Sequence, residues 1–194
     1  KDLSFRYHKG NRQILNHVSV SLDSSDRLGL AAPSGFGKTT FCKILAGYEQ
    51  PDEGQVLLDG KPLSQYKGYC PVQLIWQHPQ EAVNPRRRMK TVLEEGGVLD
   101  ERLIRGLGIE KEWLERYPGE LSGGELQRFC IARALGEKTR FILADEITAM
   151  LDLITQSQIW NFLLEEVRSR EIGLLVVSHT NSLLDWICTD RIQL

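Results

Sequence analysis

Cysteine is sparse and scattered. Cys42, Cys70, Cys130 and Cys188 lie far apart with no C-x-x-C pair, so neither a zinc site nor a dithiol redox motif has the spacing it needs, and a reducing cytosol suits them. No apolar run approaches the roughly 18 residues of a membrane-spanning helix. The opening KDLSFRYHKG carries no apolar signal core, so a role at a membrane requires docking onto another chain. The net charge of -2 supplies neither the basic field that accompanies nucleic-acid binding nor an acidic tail. There is no internal repeat, no low-complexity segment, and no heptad run between Lys38 and Ser122. With 41% hydrophobic and 26% charged residues over 194 positions, disordered and collagen-like classes are excluded, and one domain with a substantial core is expected. The chain starts at Lys1 rather than Met, and a few residues are expected to have been lost at its front.

Short β-type runs come first: LSFRY at 3–7, VSVSL at 18–22 and RLGLA at 27–31. The third leads into a glycine-bearing loop, and KTTFCKILAG then predicts a helix closing at Gly47, followed by a PDEG turn and a strand QVLLD at 55–59. From about Pro79 to Pro118 the texture changes to charged, glycine-punctuated segments with short helical patterns, MKTVLEE and DERLIRGLG, which reads as an inserted helical lobe. The last third alternates again: strand FILA at 141–144, helix at 154–170, strand GLLVV at 173–177, then a shorter helix. Ile159, Leu163 and Val167 recur at i, i+4, i+8, the buried stripe of a helix on a sheet. The two apolar runs suit parallel strands covered on both faces.

The loop AAPSGFGKTT fits the phosphate-binding pattern G-x-x-x-x-G-K-[ST] except that Ala32 replaces the first glycine. Such a loop aims successive backbone N–H groups at phosphate, and Gly35 and Gly37 permit both the tight path and the close approach. Lys38 is expected to reach the β and γ phosphates, and the Thr39 hydroxyl to ligate Mg²⁺. The extra methyl at Ala32 is tolerable where φ stays negative. A plain turn before a helix is the competing reading. FILADE, 141–146, is an apolar strand ending in two acids. Asp145 suits a water-mediated hold on a metal and Glu146 the polarising of an attacking water; the competing reading is a strand that ends at a helix cap. The upstream loop favours the first. In LSGGELQR, 121–128, Ser122 and Glu125 form an S-x-x-E capping box. A helix is therefore expected to start there with Gly123 and Gly124 exposing N–H groups at its positive end.

That stretch resembles the L-S-G-G-Q signature of the ATP-binding subunits of ABC transporters, and phosphate loop, signature and acidic strand occur in the family's order. The resemblance covers essentially the whole chain. It implies an α/β, P-loop NTPase fold of ABC type: a mainly parallel core sheet, an antiparallel β subdomain and an inserted helical subdomain. Residues 1–77 and 119–194 would form the ATPase core and 78–118 the helical part, within one domain spanning 1–194. It also implies that Ser34, Gly35, Phe36, Gly37, Lys38, Thr39 and Thr40 cradle the phosphates of ATP, and that Tyr7 stacks on adenine. Gln77 in LIWQHP matches the glutamine that joins Mg²⁺ and the attacking water to the helical lobe. Asp152 in TAMLD ends the loop after the acidic strand, and His179 in VVSH contacts the γ-phosphate. Thr39, Gln77 and Asp145 would hold the metal, with Glu146, His179, Gln77 and Lys38 catalytic. Ser122, Gly123 and Gly124 would meet the ATP of another subunit, in a head-to-tail dimer of like or related chains that sandwiches two nucleotides. Glu125 for the usual glutamine, Met150 for the usual leucine-bearing loop and Ile147 for a proline are departures.

Asn84, Pro85 and Arg86, with RYPGELSGGE and DEITAMLDLITQSQIWNFL, are specifically similar to the ATPases of oligopeptide, dipeptide and nickel importers, while His78 and Ala82 depart from their pattern. This implies an ATPase powering import of a peptide or nickel chelate. Its partners would be integral membrane permeases and, indirectly, an extracytoplasmic solute-binding protein, with the chain peripheral on the cytoplasmic face. Phosphonate-utilisation ATPases share the texture and remain an alternative, as does a soluble non-transport ABC ATPase. A soluble P-loop kinase has no use for LSGGE, and no nucleic-acid partner is expected. The basic residues Arg86, Arg87, Arg88 and Lys90 read as a solvated face, or as a contact to the permease or to anionic lipid headgroups.

Overall fold

The computed structural model describes residues 1–7, 13–31, 35–97 and 100–193. In chain order, β1 (Leu3–Arg6) and β2 (Gln13–Val18) form an antiparallel pair, followed by β3 (Arg27–Ala31) and helix α1 (Lys38–Leu45). The two-residue strands β4 (Leu57–Leu58) and β5 (Lys61–Pro62) make a second antiparallel pair. Then come β6 (Val72–Ile75), α2 (Met89–Glu95), α3 (Glu101–Gly106), α4 (Gly123–Ala134) and β7 (Phe141–Asp145). The chain finishes with α5 (Leu153–Ser169), β8 (Gly173–Val177), α6 (Asn181–Ile187) and β9 (Asp190–Gln193).

Five strands form one parallel sheet in the order β6-β7-β8-β3-β9. Alternation along β7 and β8 divides the core. Ile142, Ala144, Leu174 and Val176 pack into a cluster with α4, α5 and the helical insertion, whereas Leu143, Leu175 and Val177 pack with α1 and the small strands. Ile159, Leu163 and Val167 are at most 1% exposed, as their spacing predicts, and each such side chain contributes about 1.5–3 kcal/mol by leaving water. Because the sheet is parallel, the turns after β3, β6, β7 and β8 all emerge at one edge, the carboxyl ends of the strands, where α/β proteins place their ligands.

The insertion holds α2, α3 and two short 3₁₀ turns (Pro79–Glu81, Lys111–Glu115), and a third (Pro118–Glu120) leads out of it. Its ties to the core include an apolar seam and an ion pair. Met89, Val92 and Leu93 are wholly buried in the same cluster as Leu126, Phe129 and Cys130 of α4. Arg102 of α3 grips the fully buried Glu166 of α5 with both guanidinium nitrogens, Nη2 to Oε2 at 2.9 Å; a carboxylate buried without that partner would be strongly destabilising.

Two expected strands are corrected. VSVSL was expected at 18–22, but β2 ends at Val18, because β1 pairs with residues 13, 15 and 18 and reaches no further. Past it Val20 and Leu22 still alternate inward against Ser19 and Ser21, without a strand partner. Likewise QVLLD at 55–59 yields only Leu57–Leu58, since Lys61–Pro62 supplies a two-residue partner. The helices fare better: α2 coincides with MKTVLEE, and α5 begins and ends one residue before the expected 154–170. Among the described residues no helix is long and apolar enough to cross a membrane.

Candidate functional site

Four turns at the carboxyl edge of the sheet converge on a cleft of about 410 Å³ lined by Ile14, Gly35, Gly37, Lys38, Thr39, Thr40, Gln77, Glu146 and His179. The turn after β3 supplies the glycine loop, and α1 begins directly from it. Gly37, the N-cap, has φ 85° and offers no side-chain cap, and the first turn of α1 holds no acidic residue. Glycine is required at 37 on two counts: the left-handed backbone, and an added Cβ that would lie 2.4 Å from Ile14 Cγ2. Gly35 is also left-handed, at φ 78°, but faces open space. The positive end of α1 therefore opens on the cleft with its first amides available to an anion. Lys38 lies beneath it, 6% exposed.

The acidic end of β7 meets α1 from below. Thr39 Oγ1 donates to Asp145 Oδ2 at 2.6 Å. Asp145 is 2% exposed, and burial pushes its carboxyl above the usual range, against the opposing pull of the Thr39 hydroxyl and of Lys38, Lys43 and His179. A buried carboxylate beside a hydroxyl is an all-oxygen donor set, which fits a hard cation such as Mg²⁺. Among the described residues no group of three or more His, Cys, Asp or Glu could hold a metal by itself. Glu146 sits just past the strand at φ 50°, a left-handed backbone that a glutamate adopts at a cost of order 1–3 kcal/mol. That backbone turns its carboxylate into the cleft, where Oε1 lies 2.7 Å from His179 Nε2.

The structure thus gathers Gly35, Gly37, Lys38, Thr39, Thr40, Gln77, Glu146 and His179 at one place, with Asp145 directly behind. Other expected residues stand apart from the cleft lining. Tyr7 is 42% exposed, meets Phe5 edge-on at 4.9 Å, and its hydroxyl pairs with Thr40 Oγ1 at 3.2 Å. Phe36 is 48% exposed at the loop tip. Asp152 caps α5, accepting from the N–H groups of Ile154 and Thr155, and the Thr155 bonds chiefly hold its carboxyl below the usual range. Ser34, and with it Ala32, lies outside the described residues.

Ser122, Gly123 and Gly124 start α4 as expected. The capping box is closed on both sides, with Glu125 Oε2 accepting from Ser122 N (2.7 Å) and Ser122 Oγ from Glu125 N (3.3 Å). Ser122 and Gly123 are exposed, and none of the three lines the cleft. Leu151 packs close to Gly124, so this helix end adjoins the loop after Glu146.

Two participants were missed. Ile14 lines the cleft from β2, and a lone apolar residue in a strand carries no signal for that. Gln127 of α4 reaches the backbone just before Gln77, a contact that spans 51 residues.

Comparison with known proteins agrees with the geometry. The family described as "ABC transporter" matches residues 15–149. The nickel import ATP-binding protein NikE of Rhodospirillum rubrum is 32% identical over 91% of this chain and 70% of its own length. The dipeptide transport ATP-binding protein DppF of Lactococcus lactis is 34% identical over 99% and 69%. Among solved structures, a dimeric ATP-binding cassette in a post-hydrolysis state with ADP and Pi superposes with a TM-score of 0.87 at 22% identity, covering all of this chain and 92% of that one. At that identity it establishes the fold alone.

Proposed function

The chain belongs to the ABC transporter family, and we propose that it is the ATP-hydrolysing subunit of an importer for a small solute, a peptide or a nickel chelate. The observation that carries the hydrolytic reading is the convergence of Lys38, Thr39, Gln77, Glu146 and His179 on one cleft above the buried Asp145. The amides at the start of α1 and the Lys38 ammonium hold the phosphates of ATP. Mg²⁺, held by Thr39 and Asp145 with Gln77 at its edge, would screen the phosphate charge. Glu146 accepts a proton from water as the water oxygen bonds to the γ-phosphorus, and the bond to the bridging oxygen of ADP breaks. His179 Nε2, 2.7 Å from Glu146 Oε1, stands beside that carboxylate, and Gln77 orients the water. Tyr7 supports adenine at the mouth of the cleft.

The α4 end, with Ser122, Gly123 and Gly124, completes the cleft of a second copy of this chain, and Asp152 lies on the same contact surface. Support comes from its exposure, its separation from its own cleft, and the dimeric state of the cassette of like fold. The permeases meet the helical insertion, whose boundaries we place at 78–118, on the cytoplasmic face of the membrane. The names of the nickel and dipeptide relatives support an importer. Arg87 and Arg88, paired on the surface with Glu95 and Glu115, belong to that contact; reversing both to glutamate should abolish co-purification with the permeases, and undiminished recovery would remove this part of the account. The hydrolytic reading is tested by phosphate release. The intact chain should release phosphate from MgATP, and Glu146→Gln should bind ATP without releasing it; equal rates in both would refute the role of Glu146.

A further inference from the structure

Three side chains of α4 reach the backbone of the segment that carries Gln77, and they do so in step. Gln127 Nε2 donates to the carbonyl of Trp76 at 3.2 Å, Cys130 Sγ to that of Pro79 at 3.8 Å, and Arg133 Nη1 to that of Ala82 at 2.7 Å. Donors and acceptors both advance by three residues, so the offset is 51 at every rung. The two repeats differ in rise: three residues span about 4.5 Å along an α-helix and about 6 Å along a 3₁₀ turn such as Pro79–Glu81. Amide, thiol and guanidinium, of different reach, take up the difference.

Gln127 is the informative rung. It is 3% exposed, and its Oε1 is, among the described residues, the buried side-chain oxygen left without a hydrogen-bond partner. An amide buried with its acceptor unsatisfied is a poor device for stability, since leucine would fill the same space without an orphaned buried oxygen and would leave only the carbonyl of the half-buried Trp76 without this donor. What the amide does supply is a directional hold on the carbonyl immediately before Gln77.

We propose that Gln127, with Cys130 and Arg133, positions Gln77: the three side chains lock segment 76–82 onto α4, so that Gln77 in the nucleotide cleft and the Ser122 end of that helix move as one body. A partner pressing on Ser122 then displaces Gln77 directly. The inference rests on the ATPase reading given above.

The test uses the full chain in four forms: parent, Gln127→Leu, Gln77→Ala and the double variant. The readouts are steady-state ATP hydrolysis, thermal melting, and amide hydrogen exchange over 76–82 and 123–134. Gln127→Leu should melt no lower than the parent and speed exchange across 76–82 about tenfold with 123–134 unchanged, the signature of local opening. Its kcat should fall about tenfold with KM for ATP within about twofold, and the double variant should be no slower than Gln77→Ala alone, because the two residues act through one path. Unchanged exchange over 76–82, losses that multiply in the double variant, or a Gln127→Leu chain melting well below the parent would each overturn the proposal. A parent that hydrolyses no ATP counts against the ATPase reading instead, and exchange over 76–82 then decides the lock by itself.

Discussion

Helices α1 and α4 have N-termini built in opposite ways. Helix α1 starts at Gly37 with no side-chain cap and no acid in its first turn, so its positive end is left to a ligand and opens on a cleft. Helix α4 starts at Ser122 with a closed capping box and the Glu125 carboxylate in its first turn, so the Ser122 and Glu125 N–H groups are already served by its own chain, and Ser122 and Gly123 face solvent. An end roughly half a positive charge strong that is left uncapped beside a lysine is a site in its own right. An end capped by a carboxylate offers only what remains, the Ser122 hydroxyl and the amides behind it. On the reading proposed above, the contrast is between one phosphate site and one fragment of a site, and the fragment would gain a use when another subunit brings its nucleotide to it.

Substitutions can break that contrast. The largest effect should come from Glu146→Gln, which lowers the hydrolysis rate about 10²–10⁴-fold while equilibrium ATP binding at α1 persists, read by phosphate release against fluorescent-nucleotide titration. Gly37→Ala should weaken ATP binding by about 10–100-fold in the same titration, from a left-handed φ and a collision with Ile14. Asp145→Asn should abolish turnover yet raise the melting temperature by about 2–4 °C, a gain of roughly 1 kcal/mol. Burial raises this carboxyl, so the folded state holds its proton more tightly than the unfolded chain does. The penalty of ionising it is present above its raised folded value and disappears below its ordinary value of 3.8, and the gain from the Asp145→Asn change should fade as the pH falls toward that value. Ser122→Ala should cost about 1 kcal/mol of stability through the lost cap, with ATP affinity of the isolated chain unchanged. Smallest of all, Glu125→Gln keeps the capping acceptor and drops the charge, so stability should stay within about 0.5 kcal/mol; a loss as large as that of Ser122→Ala would mean that charge, rather than hydrogen bonding, holds that helix end.

Much of this was legible in the sequence because it is local. The period of Ile159, Leu163 and Val167, the Ser122–Glu125 box and the Gly35–Gly37 loop depend on neighbours within a few residues, and each is seen where its pattern puts it. The convergence of Gln77, Glu146 and His179 was expected from the family resemblance for Gln77 and His179, and its physical reason is the sheet: each follows an apolar run, and in a parallel sheet all such runs end at one edge. What failed depends on pairing across space. Residues 18–22 and 55–59 have strand composition, but composition does not name a partner, and only Val18, Leu57 and Leu58 have one. The rungs from α4 to segment 76–82, at an offset of 51, are invisible for the same reason, as is the fully buried Glu166, whose neutralising Arg102 lies 64 residues away.

Light scattering of the Glu146→Gln chain with and without MgATP tests the central claim most directly, because this variant should close around nucleotide and stay closed. The account predicts a monomer without nucleotide and a dimer with it. A monomer under both conditions, in a sample shown by titration to bind ATP, would contradict the claim that the Ser122 end of one copy completes the cleft of another.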